Sequence, residues 1–306
     1  MRDHILICGP VSWNQLVYLD RLPEPRPHVQ FALEDYETIG GTSAGKALHL
    51  SGLGRSVACH TVLGDDDVSA VLRSVLEAAG VVVFAPGIPG DSERHLNLMT
   101  PAGERVSLYL SVPAFVAPDV AQFTTLCEGA AALVMDLSET SRTLLPAAVS
   151  TRIPIWTDVH DYDGRSEFQK PFIEAADFIF MNADGMSEPV DFMRSRVEAG
   201  AKAVVCTLGK DGAMAFDTDG LHRVSAVAAE VRDTNGAGDA FLAGFLDATL
   251  TGASTDAALA LAASQAVIAL GTKHLHPSID AHLPSPGRRS RIGNSDQFIS
   301  GRGEHR

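Results

Sequence analysis

The run Asp233-Thr234-Asn235-Gly236-Ala237-Gly238-Asp239-Ala240-Phe241 places a carboxylate directly after a stretch of nearly bare backbone. Gly236, Ala237 and Gly238 stand where the apolar pattern Phe241, Leu242, Phe245, Leu246 opens a helix, so unpaired N–H groups point outward with the helix dipole behind them. That arrangement suits a phosphate. Asp239 falls in the first helical turn, within reach of a hydroxyl attacking a bound phosphoryl group, and can take its proton. The pairing suggests phosphoryl transfer to an alcohol. The dipole alone also favours Asp in a first turn, and glycines often only end a loop. The dinucleotide fingerprint is excluded, since it needs a strand directly before it and Phe241 occupies the place of its third glycine.

A second glycine-rich run, Gly40-Gly41-Thr42-Ser43-Ala44-Gly45-Lys46-Ala47, nearly spells the phosphate loop G-x-x-x-x-G-K-[ST]. Ala47 replaces the hydroxyl that would hold magnesium, and Glu34-Asp35-Tyr36-Glu37-Thr38-Ile39 is too polar for the buried strand such a loop follows. The better reading is a Gly-Gly pair that admits a ligand or another backbone and opens a helix through Ala44, Ala47 and Leu48.

These residues need a scaffold, and the rest of the chain supplies one. Its 306 residues, 45% hydrophobic, suffice for a large core. The formal charge of -14 argues against a surface that grips nucleic acid or anionic lipid. Cys8, Cys59, Cys127 and Cys206 show no C-x-x-C spacing and read as core packing in a reducing cytosol. No apolar stretch nears the ~20 residues that span a bilayer, and no signal peptide is evident, so the expected location is cytoplasmic.

Short apolar runs at Ile5 to Cys8, Val57 to Leu63, Val81 to Phe84, Ala132 to Met135, Ile153 to Thr157, Phe178 to Met181 and Ala203 to Thr207 predict strands covered on both faces. Between them fall helical patterns near Ala44 to Leu53, Val68 to Ala79, Val120 to Glu128, Ser141 to Val149 and Ser187 to Ala199. The alternation predicts an α/β protein, a three-layer α/β/α sandwich with a mainly parallel central sheet. Alternating segments at Val29 to Leu33, Leu96 to Met99 and Arg105 to Leu110 break the rhythm and predict a small antiparallel β lid, from about 12–39 and 92–112. A hairpin is expected at Ala213 to Val227 through Asp217-Thr218-Asp219-Gly220, then helices from Gly236 and Thr255. One domain is expected over 1–283, with 284–306 a polar, basic, flexible tail.

The chain resembles the ribokinase-like (PfkB) carbohydrate and nucleoside kinases. The resemblance rests on Gly9 to Asp20 with Arg21-Leu22-Pro23, Gly40-Gly41, Thr207 to Gly212, and Asp233 to Phe241. It implies that Asp239 is the catalytic base and that the N–H groups of Gly236, Ala237 and Gly238 form the anion hole. On the acceptor side it implies Ser12, Asn14, Gly40, Gly41, Thr42 and Gly45. For ATP it implies Thr207, Gly209, Gly212, Asn182 and Thr234, with Mg2+ near Asn182 and Asp184 and a monovalent cation such as K+ at Asp233. An exposed β flap often finds a partner flap, so a homodimer through the β lid is a further expectation.

Three departures concern the acceptor and metal sides. Asn14 stands where many sugar kinases of this family carry Asp, Gly45 where Asn is usual, and Gly185 where an Asn-x-x-Glu element wants Glu, with Asp184 or Glu188 as substitutes. The expected activity is transfer of the ATP γ-phosphoryl to a hydroxyl of a small sugar or sugar derivative. The alternatives are a nucleoside kinase, a non-catalytic sugar- or nucleotide-binding relative, and a P-loop NTPase. Asp158 to Gly164 is either a site-lining loop or a turn closed by its own Asx bonds, and it fails as a calcium loop because Lys170 stands in place of Glu. His274 and His276 form a weak metal signal.

Overall fold

The structure, a computed structural model, describes residues 3–283; the expected tail, 284–306, lies outside the described residues. In chain order the elements are β1 (His4–Cys8), β2 (Ser12–Tyr18), β3 (Glu34–Gly40), α1 (Thr42–Gly52), β4 (Val57–His60), β5 (Leu63–Gly64), α2 (Asp67–Ala78), β6 (Val81–Phe84), β7 (Gly87–Ile88), β8 (Glu93–Met99) and β9 (Arg105–Ser111). They continue with α3 (Val120–Cys127), β10 (Ala130–Met135), α4 (Glu139–Thr151), β11 (Ile155–Asp158), α5 (Lys170–Ala175), β12 (Phe178–Asn182), α6 (Pro189–Glu198), β13 (Ala203–Thr207), β14 (Ala213–Asp217), β15 (Gly220–Val224), α7 (Ala237–Leu250) and α8 (Thr255–Leu270).

Nine strands form one sheet in the order β15-β14-β13-β12-β11-β10-β1-β4-β6, parallel except for β14 and β15 at one end. Strand β1 shows why it must lie at the centre. All five residues of His-Ile-Leu-Ile-Cys are buried, and alternate side chains serve opposite cores. Ile5 and Ile7 pack with α1, α2, α7 and α8, while Leu6 and Cys8 pack with α3, α4, α5 and α6. The three layers follow directly. From β1 the chain builds outward to β4 and β6, then returns to add β10 on the other side, so the topological switch lies between β1 and β10. Ligands of open α/β sheets bind outside the carboxyl ends of strands at such a point.

The lid is a separate sheet in the order β3-β2-β8-β9. It is mixed, not purely antiparallel: β2 pairs antiparallel with β3, β8 with β9, and β2 lies parallel to β8. Two expectations change here. Val29 to Leu33 is no strand; Val29, Phe31 and Leu33 are 80%, 77% and 61% exposed, because the alternating run meets no partner edge. The polar run Glu34 to Gly40 is the strand instead, at the lid's edge, where charged side chains discourage pairing with another chain. Its buried end, Thr38 to Gly40, enters the core. The expected strand Val57 to Leu63 breaks into β4 and β5.

A neutral histidine pins α1 in place. His49 Nε2 donates to the Leu275 carbonyl at 2.9 Å, and Nδ1 accepts from Gln265 Nε2 at 2.9 Å, which ties α1 to α8 and to the chain after it. Burial, with His276 beside it, pushes His49 down to about 3. A depressed folded-state pKa contributes stability that is present above the unfolded value and lost on acidification. Thermal unfolding is therefore expected to show a loss of about 2 kcal/mol between pH 7 and pH 5. The His49→Gln variant is expected to flatten that part of the pH dependence.

Candidate active site

Helix α7 begins at Gly236, whose φ of 79° is left-handed and whose Cβ would lie 2.8 Å from Leu275 Cδ2. Only glycine fits there. A Cβ on Gly238 would meet nothing within 4 Å, so the backbone at the helix start is open to an incoming group. The Ala237 N–H reaches the Thr234 carbonyl only at 3.5 Å, which leaves the first turn's amides available for an anion. Helix α7 is seated by Phe245, which lies against Trp156 and Phe180, and by Gly244, where a Cβ would come within 2.9 Å of Ala262 Cα on α8.

Asp239 projects from that first turn to the start of α1. Its Oδ1 accepts from Thr42 Oγ1 at 2.5 Å and from Lys46 Nζ at 3.0 Å. Two helix N-termini, those of α1 and α7, thus converge on one carboxylate, and both dipoles favour negative charge there. Its Oδ2 lies over Gly45, where a Cβ would be 2.6 Å away. Burial raises the Asp239 pKa; Lys46 and Thr42 pull it down, and Asp158 and Asp136 push it up again.

Lys46 is fully buried and pairs with Asp136 Oδ1 at 2.9 Å, Asp239 Oδ1 at 3.0 Å and Asp158 Oδ2 at 3.5 Å; it also contacts Thr42 Oγ1. Burial works to lower its pKa, and Asp136, Asp239 and Asp158 override that, so the group is a permanent ammonium. Asp136 follows β10 and accepts from Ser43 Oγ at 2.7 Å, while Asp158 ends β11. Both lie at the carboxyl edge of the sheet beside the switch point. The P-loop reading is overturned here: residues from Thr42 to Lys46 are already helix, and the lysine faces inward.

The Asp158 to Gly164 segment divides its roles. Asp158 belongs to the charged cluster, whereas Asp163 closes a turn by accepting from the N–H groups of Arg165 and Ser166. Asp136 and Lys46 escaped sequence reasoning. The available signal was a lysine among Ala44, Ala47 and Leu48, which demands a buried carboxylate, and an Asp closing an all-apolar strand.

On the acceptor side, Ser12 donates to Asn14 Oδ1 at 2.7 Å, and the Asn14 amide lies where a Cβ on Gly40 would be, 2.0 Å from Nδ2. Gly41, at φ 90°, would set a Cβ 2.5 Å from the Pro10 carbonyl. A cavity of about 260 Å³ runs between lid and sheet, lined by Gly9, His60, Glu93, Tyr109, Phe115 and Glu139 among others. A Cβ on Gly9 would meet Ser43 and Asp136, so the cavity floor adjoins the charged cluster.

On the nucleotide side, Thr207 and Asn182 are neighbours across β12 and β13. The turn after Thr207 is closed by Leu208 N donating to the Gly212 carbonyl at 2.8 Å, with Gly209 and Gly212 at positive φ. Thr234 lines a separate cleft with Tyr36, Asp233 and Lys273. Asn182 Oδ1 accepts from Asp184 N at 2.9 Å, and Asp184 is exposed; Glu188 is exposed too, at the start of α6. Among the described residues no three His, Cys, Asp or Glu side chains gather around a possible metal. Asn182 and Asp184 therefore fit a Mg2+ carried mainly by phosphate oxygens and water. Gly185 cannot be Glu, because a Cβ would lie 2.0 Å from the Asp161 carbonyl.

A monovalent cation at Asp233 does not fit. Oδ1 accepts from Asn235 N at 2.7 Å and Oδ2 accepts from the Tyr36 hydroxyl at 2.7 Å, so both carboxylate oxygens already have protein donors, and the same hydroxyl lies 2.9 Å from the Lys273 carbonyl. Burial and the Asp233 charge raise the Tyr36 pKa, so its hydroxyl stays a donor. His274 bonds Thr38 Oγ1 and His276 packs on His49, which accounts for both without a metal.

The raised Asp239 pKa carries a stability prediction. A carboxyl raised on folding contributes stability that is lost as pH rises through its folded value, so its ionised form is a cost at pH 7. Asp239→Asn is expected to flatten that part of the pH dependence of Tm in thermal melts.

The family model described as pfkB family carbohydrate kinase matches residues 32–281. Acarbose 7(IV)-phosphotransferase of Actinoplanes sp. is 29% identical over 267 residues, 82% of this chain and 87% of that protein. A nucleoside kinase of Methanothermobacter thermautotrophicus is 26% identical, over 81% and 83%. Among solved structures, a microbiome-derived acarbose kinase, Mak1, superposes with a TM-score of 0.80 at 28% identity over 89% of this chain and 94% of that one. Ribokinase from Thermotoga maritima shares the fold, with a TM-score of 0.74 at 17% identity over 91% and 98%. With a family match over most of its length, this chain belongs to the pfkB family of carbohydrate kinases.

Proposed function

We propose that the protein transfers the γ-phosphoryl of ATP to a hydroxyl of a small sugar or sugar derivative, with Asp239 as general base. The observation that carries this reading is the placement of the Asp239 carboxylate in the first turn of a helix whose opening amides face open space. The acceptor oxygen bonds to the γ-phosphorus, the bond to the β,γ-bridging oxygen breaks with its electron pair leaving on ADP, and the acceptor's proton passes to Asp239. The amides of Gly236, Ala237 and Gly238 are the donors for charge on the transferred group. Mg2+, held beside Asn182 and Asp184, supplies charge neutralisation to the phosphates when bound. Thr207, Gly209 and Gly212 shape the nucleotide turn, and the lid excludes water.

The cavity lining includes Glu93 and Glu139 and no Lys or Arg, which favours a neutral or cationic acceptor over a sugar acid or a sugar phosphate. Asn14 both accepts and donates, which suits a polyol or the ribose of a nucleoside. Val106, Leu108 and Leu110 are exposed on the lid's edge strand β9, which supports pairing with a second copy there; the mass in solution would test it. Among the described residues no helix is long and apolar enough to cross a membrane, consistent with a cytoplasmic location.

ADP release measured over pentoses, hexoses, sugar acids and nucleosides is expected to rise with a neutral sugar. Asp239→Asn is expected to lower that turnover by about 10²–10⁴-fold with ATP affinity retained. Near-wild-type activity in this variant would remove Asp239 as base, and no stimulation by any acceptor would favour a non-catalytic binder. Because both Asp233 carboxylate oxygens already have protein donors, omission of potassium is expected to leave turnover unchanged.

A further inference from the structure

Lys46 belongs to the near-match to a phosphate loop, yet it lies within α1 and is buried among carboxylates. Its side chain is 0% exposed, and its ammonium is spent on Asp136, Asp158 and Asp239. We propose that Lys46 is a positioning residue for Asp239: its ammonium fixes Oδ1, leaves Oδ2 alone to meet the acceptor hydroxyl, and is the one positive charge among three buried carboxylates.

Geometry and charge both carry this inference. Oδ1 of Asp239 is occupied twice, by Lys46 Nζ and Thr42 Oγ1. Oδ2 lies over Gly45, in space a side chain would fill, since a Cβ there would be 2.6 Å from Oδ2 and 2.9 Å from Cγ. Gly45 and Lys46 act as a pair: the glycine makes room for the carboxylate and the lysine fixes its rotation. The charge balance is one ammonium against Asp136, Asp158 and Asp239. His160 Nδ1, 3.5 Å from Asp158 Oδ1, is half-buried beside the cluster. Cys8 and Cys59 beside Asp136 are held as thiols, the first pushed well up by burial and the second up to about 12. Without Lys46 the three carboxylates would share a proton, since like charges in one site cannot all ionise. The base would then be protonated or turned away from the acceptor.

This inference rests on Asp239 being the base, so Asp239→Asn is measured in parallel. The experiment follows kcat and KM for ATP from pH 5 to 9 in wild type, Lys46→Gln, the double variant Lys46→Met with Asp136→Asn, and Gly45→Ala, with activity referred to the fraction folded in a thermal melt. The double variant removes one charge of each sign, so the net charge of the buried cluster is the same as in the wild type. Both Lys46 variants are expected to lose about 100-fold in kcat at pH 7, with the acid limb moved up by about one pH unit and KM for ATP within about twofold of wild type. Gly45→Ala, which keeps the lysine, is expected to lower kcat and leave the acid limb in place. If the double variant shows wild-type kcat and acid limb, Lys46 is only the counter-ion of Asp136 and the proposal is overturned. A rise of more than about tenfold in KM for ATP with an unmoved acid limb also overturns it and returns the lysine to nucleotide binding. An active Asp239→Asn variant would instead refute the base assignment itself.

Discussion

One ammonium held dry between three carboxylates is the constraint around which the active end of this fold is arranged. Moving Lys46 out of water costs several kcal/mol unless its partners are close and well directed, and removing one partner of such a cluster is far worse than never building it. The partners come from three different elements: Asp136 follows β10, Asp158 ends β11 and Asp239 opens α7. The cluster therefore fixes α1 and α7 to the switch point of the sheet. Its net negative charge is offset in part by the two helix N-termini that meet at Thr42 and Asp239. Stability and function pull apart at this point, since a carboxylate with an elevated pKa is a poorer stabiliser and a better base.

The lid is tied to this centre through a single strand. Along β3, alternate residues face one side, and Glu34, Tyr36, Thr38 and Gly40 each meet a different partner there. Glu34 pairs with Lys273, Tyr36 bonds Asp233, Thr38 bonds His274, and Gly40 receives the Asn14 amide. A displacement of the lid edge is thus passed to the loop that begins the anion site, and to the acceptor-side Asn14, by the same backbone.

Continuous apolar strands such as His4 to Cys8 and Ala203 to Thr207 made the layered sheet legible, because burial on both faces leaves a run that few other structures produce. The Gly236 to Asp239 unit was equally legible, since backbone chemistry announces itself through missing side chains. Strand β3 was not. Its polar residues look like a loop until the partners of Tyr36 and Thr38, nearly 200 or more positions away in sequence, are in place. Val29 to Leu33 misled for the reverse reason: alternation fits a strand, but a free edge to pair with is not written locally. Lys46 was hidden because nothing in a helix sequence states which distant carboxylates will surround one of its residues.

The residues at the three departures from the family pattern, Asn14, Gly45 and Gly185, bear on whether the site is intact. At Gly45 the vacated volume is filled by the Asp239 carboxylate, and at Gly185 by the Asp161 carbonyl. Asn14 likewise is anchored by Ser12 and seated against Gly40. A site that had lost its role would leave cavities or unpaired polar groups where side chains had shrunk, since nothing would select their refilling. Here each of the two glycines is the space a neighbouring polar group requires, and the Asn14 side chain is held by Ser12. The departures are parts of a different, internally consistent acceptor end built onto the same phosphoryl end. That argues for altered acceptor preference and against a kinase fold kept only for binding.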